Sequence, residues 1–105
     1  MTEETKDILK KYEGKVVATR GYVSGVNVGR LVHFDPENKL VILVDSYFLR
    51  SWEYTTSHGS MTSLSSGDIT GGTITKILKD NIISDVGQLV ICPESVLEIC
   101  EKFAK

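Results

Sequence analysis

Three β-branched runs follow one another within the first half of the chain, VVATRGYV, GRLVHFD and KLVILVDSYF, and each reads as a strand. Turn chemistry parts them. SGVNVG separates the first two, and DPEN separates the next two, with Pro36 suited to the second turn position and Asn38 tolerant of a left-handed backbone. The expected result is an antiparallel meander through Val44. LRSWEYTTS reads as a fourth strand or a bent extension of the third, because Trp52 and Tyr54 alternate with polar neighbours. The Ser- and Gly-rich stretch SHGSMTSLSSGD reads as a loop with room for one helical turn around residues 61–64. TITKIL and QLVIC supply two more strands, with IIS either completing the former or forming a short bridge.

Helical signals occur at the two ends. Over residues 2–12, Ile8, Leu9 and Tyr12 recur at helical spacing, acidic residues precede Lys10 and Lys11, and Gly14 follows as a stop. Near the other end Pro93 is expected at the first helical position, with Val96, Leu97, Cys100 and Phe103 forming one apolar stripe. The expected fold class is therefore α+β: an antiparallel meander or small open barrel of five to six strands, flanked by an N-terminal and a C-terminal helix. With 105 residues, 41% of them apolar, the whole of 1–105 reads as a single domain.

Composition narrows the function classes. A net charge of −2 argues against coating a nucleic-acid polymer, which requires a surplus of Lys and Arg, although a small anionic ligand is compatible with it. The opening MTEETKDILKKYE holds no apolar run of secretory-signal length, and nowhere do the ~20 apolar residues of a membrane span occur, so a cytoplasmic protein with no membrane partner is expected. Cys92 and Cys100 lie eight apart without a CxxC pair or a histidine cluster. They read as reduced, partly buried thiols rather than as a zinc site. No cofactor is implied.

Catalysis is not indicated. His33 and His58 belong to no spacing that organises a nucleophile or a metal, and no acid–base pair of carboxylates stands out, so the chain reads as a binding protein and not an enzyme. Gly25 and Gly29 could bring backbone N–H groups close to a phosphate, yet no Lys and Ser/Thr follow them, and a hairpin needing positive φ accounts for them as well. A stronger candidate is the pairing of arginine with aromatic residues. Arg20 and Tyr22 stand two apart, as do Arg50, Trp52 and Tyr54, and residues two apart on a strand share a face. An aromatic ring beside a guanidinium can stack on a base and meet its phosphate. Core burial of Tyr22 and Trp52 with solvated arginines fits the spacing equally well.

At these residues the chain resembles a small family of phage-encoded proteins with the pattern R-x-Y-S-A-G-V-x-x-G-x-L, a strand, then R-R-L-W-Y-W, a Ser-Leu segment and a terminal E-I-I-P-C. The matching residues are Arg20, Tyr22, Gly25, Val26, Gly29 and Leu31 in RGYVSGVNVGRL, Leu49 and Trp52 in LRSW, Ser63 and Leu64 in MTSL, and residues 90–93 in VICP. Val23 and Ser24 depart from the family's Ser-Ala, Arg50 replaces an aromatic residue, and a longer insertion precedes the Ser-Leu segment. Such proteins look like immune-evasion sponges that sequester nucleotide signals. The resemblance implies a non-catalytic, homo-oligomeric anti-CBASS sponge holding cyclic oligonucleotides such as cyclic GMP-AMP inside the infected bacterial cell, and the small size with apolar stripes on both terminal helices predicts a homo-oligomer, a tetramer being favoured. Its alternatives are a sponge for the cyclic ADP-ribose signals of Thoeris defence and a protein–protein inhibitor of a host enzyme. The expected ligand site comprises Arg20, Tyr22, Ser24, Gly25, Asn27, Arg50, Trp52, Tyr54, Thr62 and Ser63.

Overall fold

The structure is a computed structural model that describes residues 9–55 and 60–104. Its elements run β1 (Val16–Gly21), β2 (Gly25–Asp35), β3 (Leu40–Glu53), α1 (Ser60–Ser66), β4 (Gly71–Lys76), β5 (Asn81–Ile83), β6 (Val86–Ile91) and α2 (Glu94–Phe103). All strand pairs are antiparallel, in the order β4-β3-β2-β1-β6, with β5 paired to β3. The architecture is the expected α+β one, an open six-stranded sheet with one helix mid-chain and one C-terminal. The helix expected over residues 2–12 lies largely outside the described residues. Its stop is visible: Tyr12 N–H donates to Leu9 C=O, and Gly14 takes φ +84. Among the described residues no helix is long and apolar enough to cross a membrane.

Strand β3 is one 14-residue element, so LRSWEYTTS begins as a bent extension rather than a separate strand. Its outer edge serves two partners in succession, with β5 along Val41 to Leu43 and β4 along Tyr47 to Glu53. Asp45, at φ +48, lies between the two. After β5, only Ser84 and Asp85 intervene before β6 pairs with β1 on the far side, and Val86 N–H still reaches Lys39 C=O. A two-residue link spans so little distance that the sheet must curl strongly to present both margins to it.

The curl divides the core in two. Val17, Leu31, Val41, Leu43, Ile83 and Val86 fill its inside, joined by Tyr12, Phe34 and Leu89. On the other face Val16, Ala18, Val28, Tyr47, Leu49 and Ile74 pack against Met61 and Leu64 of α1 and Val96 and Cys100 of α2. Side-chain alternation along β1 explains the partition, with Val16 and Ala18 toward the helices and Val17 toward the inside. Each fully buried leucine, such as Leu31, Leu43 or Leu64, contributes about 1.5–3 kcal/mol.

Local differences from the sequence reading have physical causes. SGVNVG is not a loop: β2 already begins at Gly25, and the hairpin tip is residues 22–24. Gly25 does hold positive φ, +69, while Gly29 sits where the β2–β3 register shifts, between Val28 and Arg30, and an added Cβ there would come within 2.7 Å of Ser46 Cβ. In the DPEN turn the left-handed residue is Lys39 (φ 55) rather than Asn38. Asn38 instead donates its side-chain amide to Asp35, which also accepts from Glu37 N–H. The Ser-rich stretch contains two helical turns, α1, and not one. Pro93 occupies the N-cap, φ −63 and ψ 153, one position before that expected, and the stripe of α2 packs as anticipated.

Candidate functional site

Arg20 closes β1 opposite Val26 on β2 and Gln88 on β6, exposed on the sheet face that carries the helices. β1 ends at Gly21, so Tyr22 stands in the turn and does not share a strand face with Arg20. The two nevertheless line one shallow groove with Gly21, Gly87 and Gln88. Tyr22 is fully exposed, at 101%, and Val23 beside it at 86%. Such exposure of neighbouring apolar side chains is tolerated only where the backbone is held by something other than their burial.

That something is Asp85. Its Oδ2 accepts from Val23 N–H at 2.7 Å and Ser24 N–H at 2.9 Å, across sixty residues of chain. The Ser24 side chain, then the Ser24 and Val23 N–H groups, hold the Asp85 carboxyl below its ordinary value, opposed by a smaller desolvation effect. The turn thus points two backbone donors at an anion, as a phosphate-binding loop would, but the anion is the protein's own carboxylate. Gly21 lies beneath it, and a Cβ there, 2.3 Å from Ser24 Oγ and 2.7 Å from Asp85 Oδ1, would push these side chains out of the lock.

Asn27, read from the sequence as a ligand contact, is buried and structural. Its amide donates to Ser24 C=O at 3.1 Å, and its Oδ1 accepts from Asn81 at 3.0 Å, tying the tip to β5. Gly25 lies against the Phe48 ring and supplies the left-handed turn of chain into β2.

The second half of the expected site sits on β3 and α1. Leu49 and Trp52 both pack into the helix-side core although three residues apart, an odd spacing that strict alternation forbids. A register shift between Leu49 and Ser51 allows it, with Arg50 as the extra, exposed residue. The expectation that Arg50, Trp52 and Tyr54 project together along a regular strand therefore does not hold, because the bulge resets the phase and β3 ends at Glu53, before Tyr54. Trp52 and the MTSL segment do meet: the indole N–H donates to Ser63 Oγ at 3.2 Å, and that hydroxyl donates to Ser60 C=O at 2.6 Å. Ser63 is buried, Thr62 exposed on the same helix, and Tyr54 exposed beyond the strand.

Register places the two halves at one end of the sheet. Arg20 is level with Val26, and Val26 with Leu49, so only β2 separates the strands, about 10 Å across two strand spacings. The arginines differ in use. Arg30 is committed, donating to Gly14 C=O and pairing with Glu94 at 3.0 Å, which fixes the first turn of α2. Among the described residues neither the Arg20 nor the Arg50 side chain has a hydrogen-bond or ion-pair partner. His33 is exposed on β2, and His58 lies outside the described residues. Both cysteines are free and buried, and burial pushes each thiol up to about 12.

Sequence reasoning missed Asp85 and Gln88. Asp85 carried a faint signal, an Asp in a turn, but its partner segment lies far away along the chain and only topology joins them. No family model, curated protein or solved structure matches the chain.

Proposed function

We propose that the chain is a binding protein that sequesters a cyclic nucleotide signal without cleaving it, in the manner of the phage anti-CBASS sponges whose motif its RGYVSGVNVGRL segment resembles. Cyclic dinucleotides such as cyclic GMP-AMP are the favoured ligands, cyclic ADP-ribose isomers the alternative, and a homo-oligomer in the infected bacterial cell the acting form. The observation that carries this reading is Arg20 and Tyr22 lining one groove, with the guanidinium unpaired among the described residues and the ring fully exposed. A rigid tip presents such a ring at little entropic cost on binding. Arg50, two strands away and likewise unpaired among the described residues, supplies a second positive charge for a doubly anionic ligand. Trp52 then serves as a supporting wall, since its N–H is engaged by Ser63.

The adjacent exposure of Tyr22 and Val23 favours one second reading, a protein–protein inhibitor using the locked tip as a hot spot. One experiment separates them. The purified protein is incubated with a cyclic dinucleotide, freed of unbound ligand, and heat-denatured. A sponge retains the ligand and releases it intact, an enzyme releases product, and a protein inhibitor retains nothing. Under the sponge reading Tyr22→Ala weakens binding by about 1–3 kcal/mol, the loss of one stacked base. Arg20→Ala weakens it and flattens its salt dependence. Loss of neither would sink this site.

A further inference from the structure

Arg20 faces Gln88 across the β1–β6 ladder and Gly21 faces Val86, so Gly87 is a bulged residue with nothing opposite it on β1. The groove of Arg20 and Tyr22 does not end there. Gly87 and Gln88 also line a second groove, walled by Phe34, Pro36, Lys39 and Leu89. The two have volumes of about 480 and 350 Å³, each enough for a small-molecule group. Glycine leaves their junction open, since a Cβ at position 87 would have only the Arg20 C=O within 4 Å, at 3.6 Å. The second groove repeats the equipment of the first, one cation and one aromatic residue. Lys39 is exposed, and among the described residues its ammonium has no hydrogen-bond or ion-pair partner. Phe34 is half-buried and rooted in the inner core, with Pro36 exposed two residues on. Lys39 is also held at φ 55, where glycine or asparagine would sit with less strain. What the fold uses of it is backbone: its C=O accepts from Val86 N–H at 3.1 Å, a bond open to any residue. Packing accounts for the position but not for a lysine in it.

We propose that the two grooves form one trough across β6 that takes both halves of a dinucleotide, with Lys39 as the cation for the second phosphate. This rests on the nucleotide reading above and deepens it. The first phosphate meets Arg20 and its base the Tyr22 ring. The second phosphate meets the Lys39 ammonium, and its base or ribose lies on the apolar wall of Phe34 and Pro36. Gln88, exposed at the junction, carries an amide that both donates and accepts, so it can bond to either half. Arg50 lies on β3, on the other side of Arg20 from β6, and adds positive charge to the first half only. The bulge at Gly87 is what makes the two grooves continuous, because a regular strand residue there would raise a side chain between them. The strain at Lys39 then has a use: it fixes the root of the ammonium's chain against β6 through the Val86 bond.

The test is titration calorimetry with cyclic GMP-AMP, read beside the melting temperature of each variant. Lys39→Gly removes the ammonium while glycine adopts φ 55 freely and keeps the carbonyl that Val86 uses. It should melt no lower than the wild type, yet bind cyclic GMP-AMP about ten-fold more weakly and with a flatter salt dependence, the loss of one charge-assisted hydrogen bond. A purely structural lysine would give the reverse, altered melting with unaltered affinity. Should the glycine variant fail to fold, Lys39→Asn, which also tolerates that conformation, replaces it. Gly87→Val, whose Cβ meets only an ordinary contact, should fold and weaken binding by obstructing the junction. A wild-type protein that binds cyclic GMP-AMP, with a folded Lys39 variant that binds it equally well, overturns the trough and leaves the sponge reading standing. A wild-type protein that binds no cyclic GMP-AMP overturns the trough too, and if it also retains no cyclic ADP-ribose isomer the sponge reading falls with it.

Discussion

Ser63→Ala removes the hydroxyl that bolts α1 to β3, and its cost can be worked from the structure. The hydroxyl makes two bonds, accepting from Trp52 Nε1 at 3.2 Å and donating to Ser60 C=O at 2.6 Å. Each intramolecular hydrogen bond contributes about 0.5–1.5 kcal/mol net, so losing both costs about 1–3 kcal/mol. Trp52 is only half-buried, and water can reach its N–H once the hydroxyl has gone, which favours the lower half of that range. Urea denaturation monitored by the fluorescence of this single tryptophan reads the loss directly. In a domain of this size 1 kcal/mol corresponds to a melting shift of roughly 4–8 °C. Trp52→Phe removes the donor together with part of the ring's packing, and the double variant closes a thermodynamic cycle that isolates the coupling, read by circular dichroism where the fluorophore is absent. The coupling should be about 0.5–1.5 kcal/mol, the net value of the Trp52–Ser63 bond. Zero coupling would show that the indole and hydroxyl do not bond, and the supporting-wall role assigned to Trp52 would fall with it. A cycle that leaves stability untouched but abolishes ligand retention would refute the reasoning from the other side.

Gly25→Ala should destabilise more than Gly14→Ala. Both positions hold positive φ, costing about 1–2 kcal/mol for a residue with a side chain, but only at Gly25 does the new Cβ meet a neighbour, Phe48 at 2.9 Å. Asp85 is held below its ordinary 3.8, so its grip on the hairpin tip is complete above that value and is lost as pH falls through the lowered one. The amide proton shifts of Val23 and Ser24 should move together in acid, not near neutrality, and Asp85→Asn should abolish the movement. Cys92 and Cys100, pushed by burial up to about 12, should resist alkylation in the folded protein at mildly alkaline pH and react once it is unfolded in urea.

Much of the architecture was legible because it depends on near neighbours. The β-branched runs identify β1, the second half of β2 and most of β3, and the stripe of Val96, Leu97, Cys100 and Phe103 identifies α2. The errors cluster where a distant partner decides. Whether SGVNVG is loop or strand depends on its neighbours in the sheet, β1 pairing with Gly25 through Gly29 and β3 with Val26 through Val28. The phase of Arg50 relative to Trp52 depends on a bulge, one residue that periodicity cannot register. Of the expected site, Trp52 and the Ser-Leu segment were expected to share a ligand and are found bonded to each other, while Asn27 is internal bracing for the tip. The occupied state of the turn's N–H groups was invisible, since it required knowing that Asp85 lies under a hairpin sixty residues earlier.

The short passage from β5 to β6 sets the order in which this protein can be made. Until residues 81–91 exist, β3 lacks its partner along Val41 to Leu43, β1 lacks its outer neighbour, and the inner core lacks Ile83 and Val86. The nascent sheet therefore waits as an unstitched pocket with two bare seams. Its closing thread is made after the strands it joins and reaches residues dozens of positions earlier, a non-local topology that folds slowly. A chain that stops after the β4 segment should expose the edges of β1 and β3 and the unfilled inner core, surface that favours aggregation.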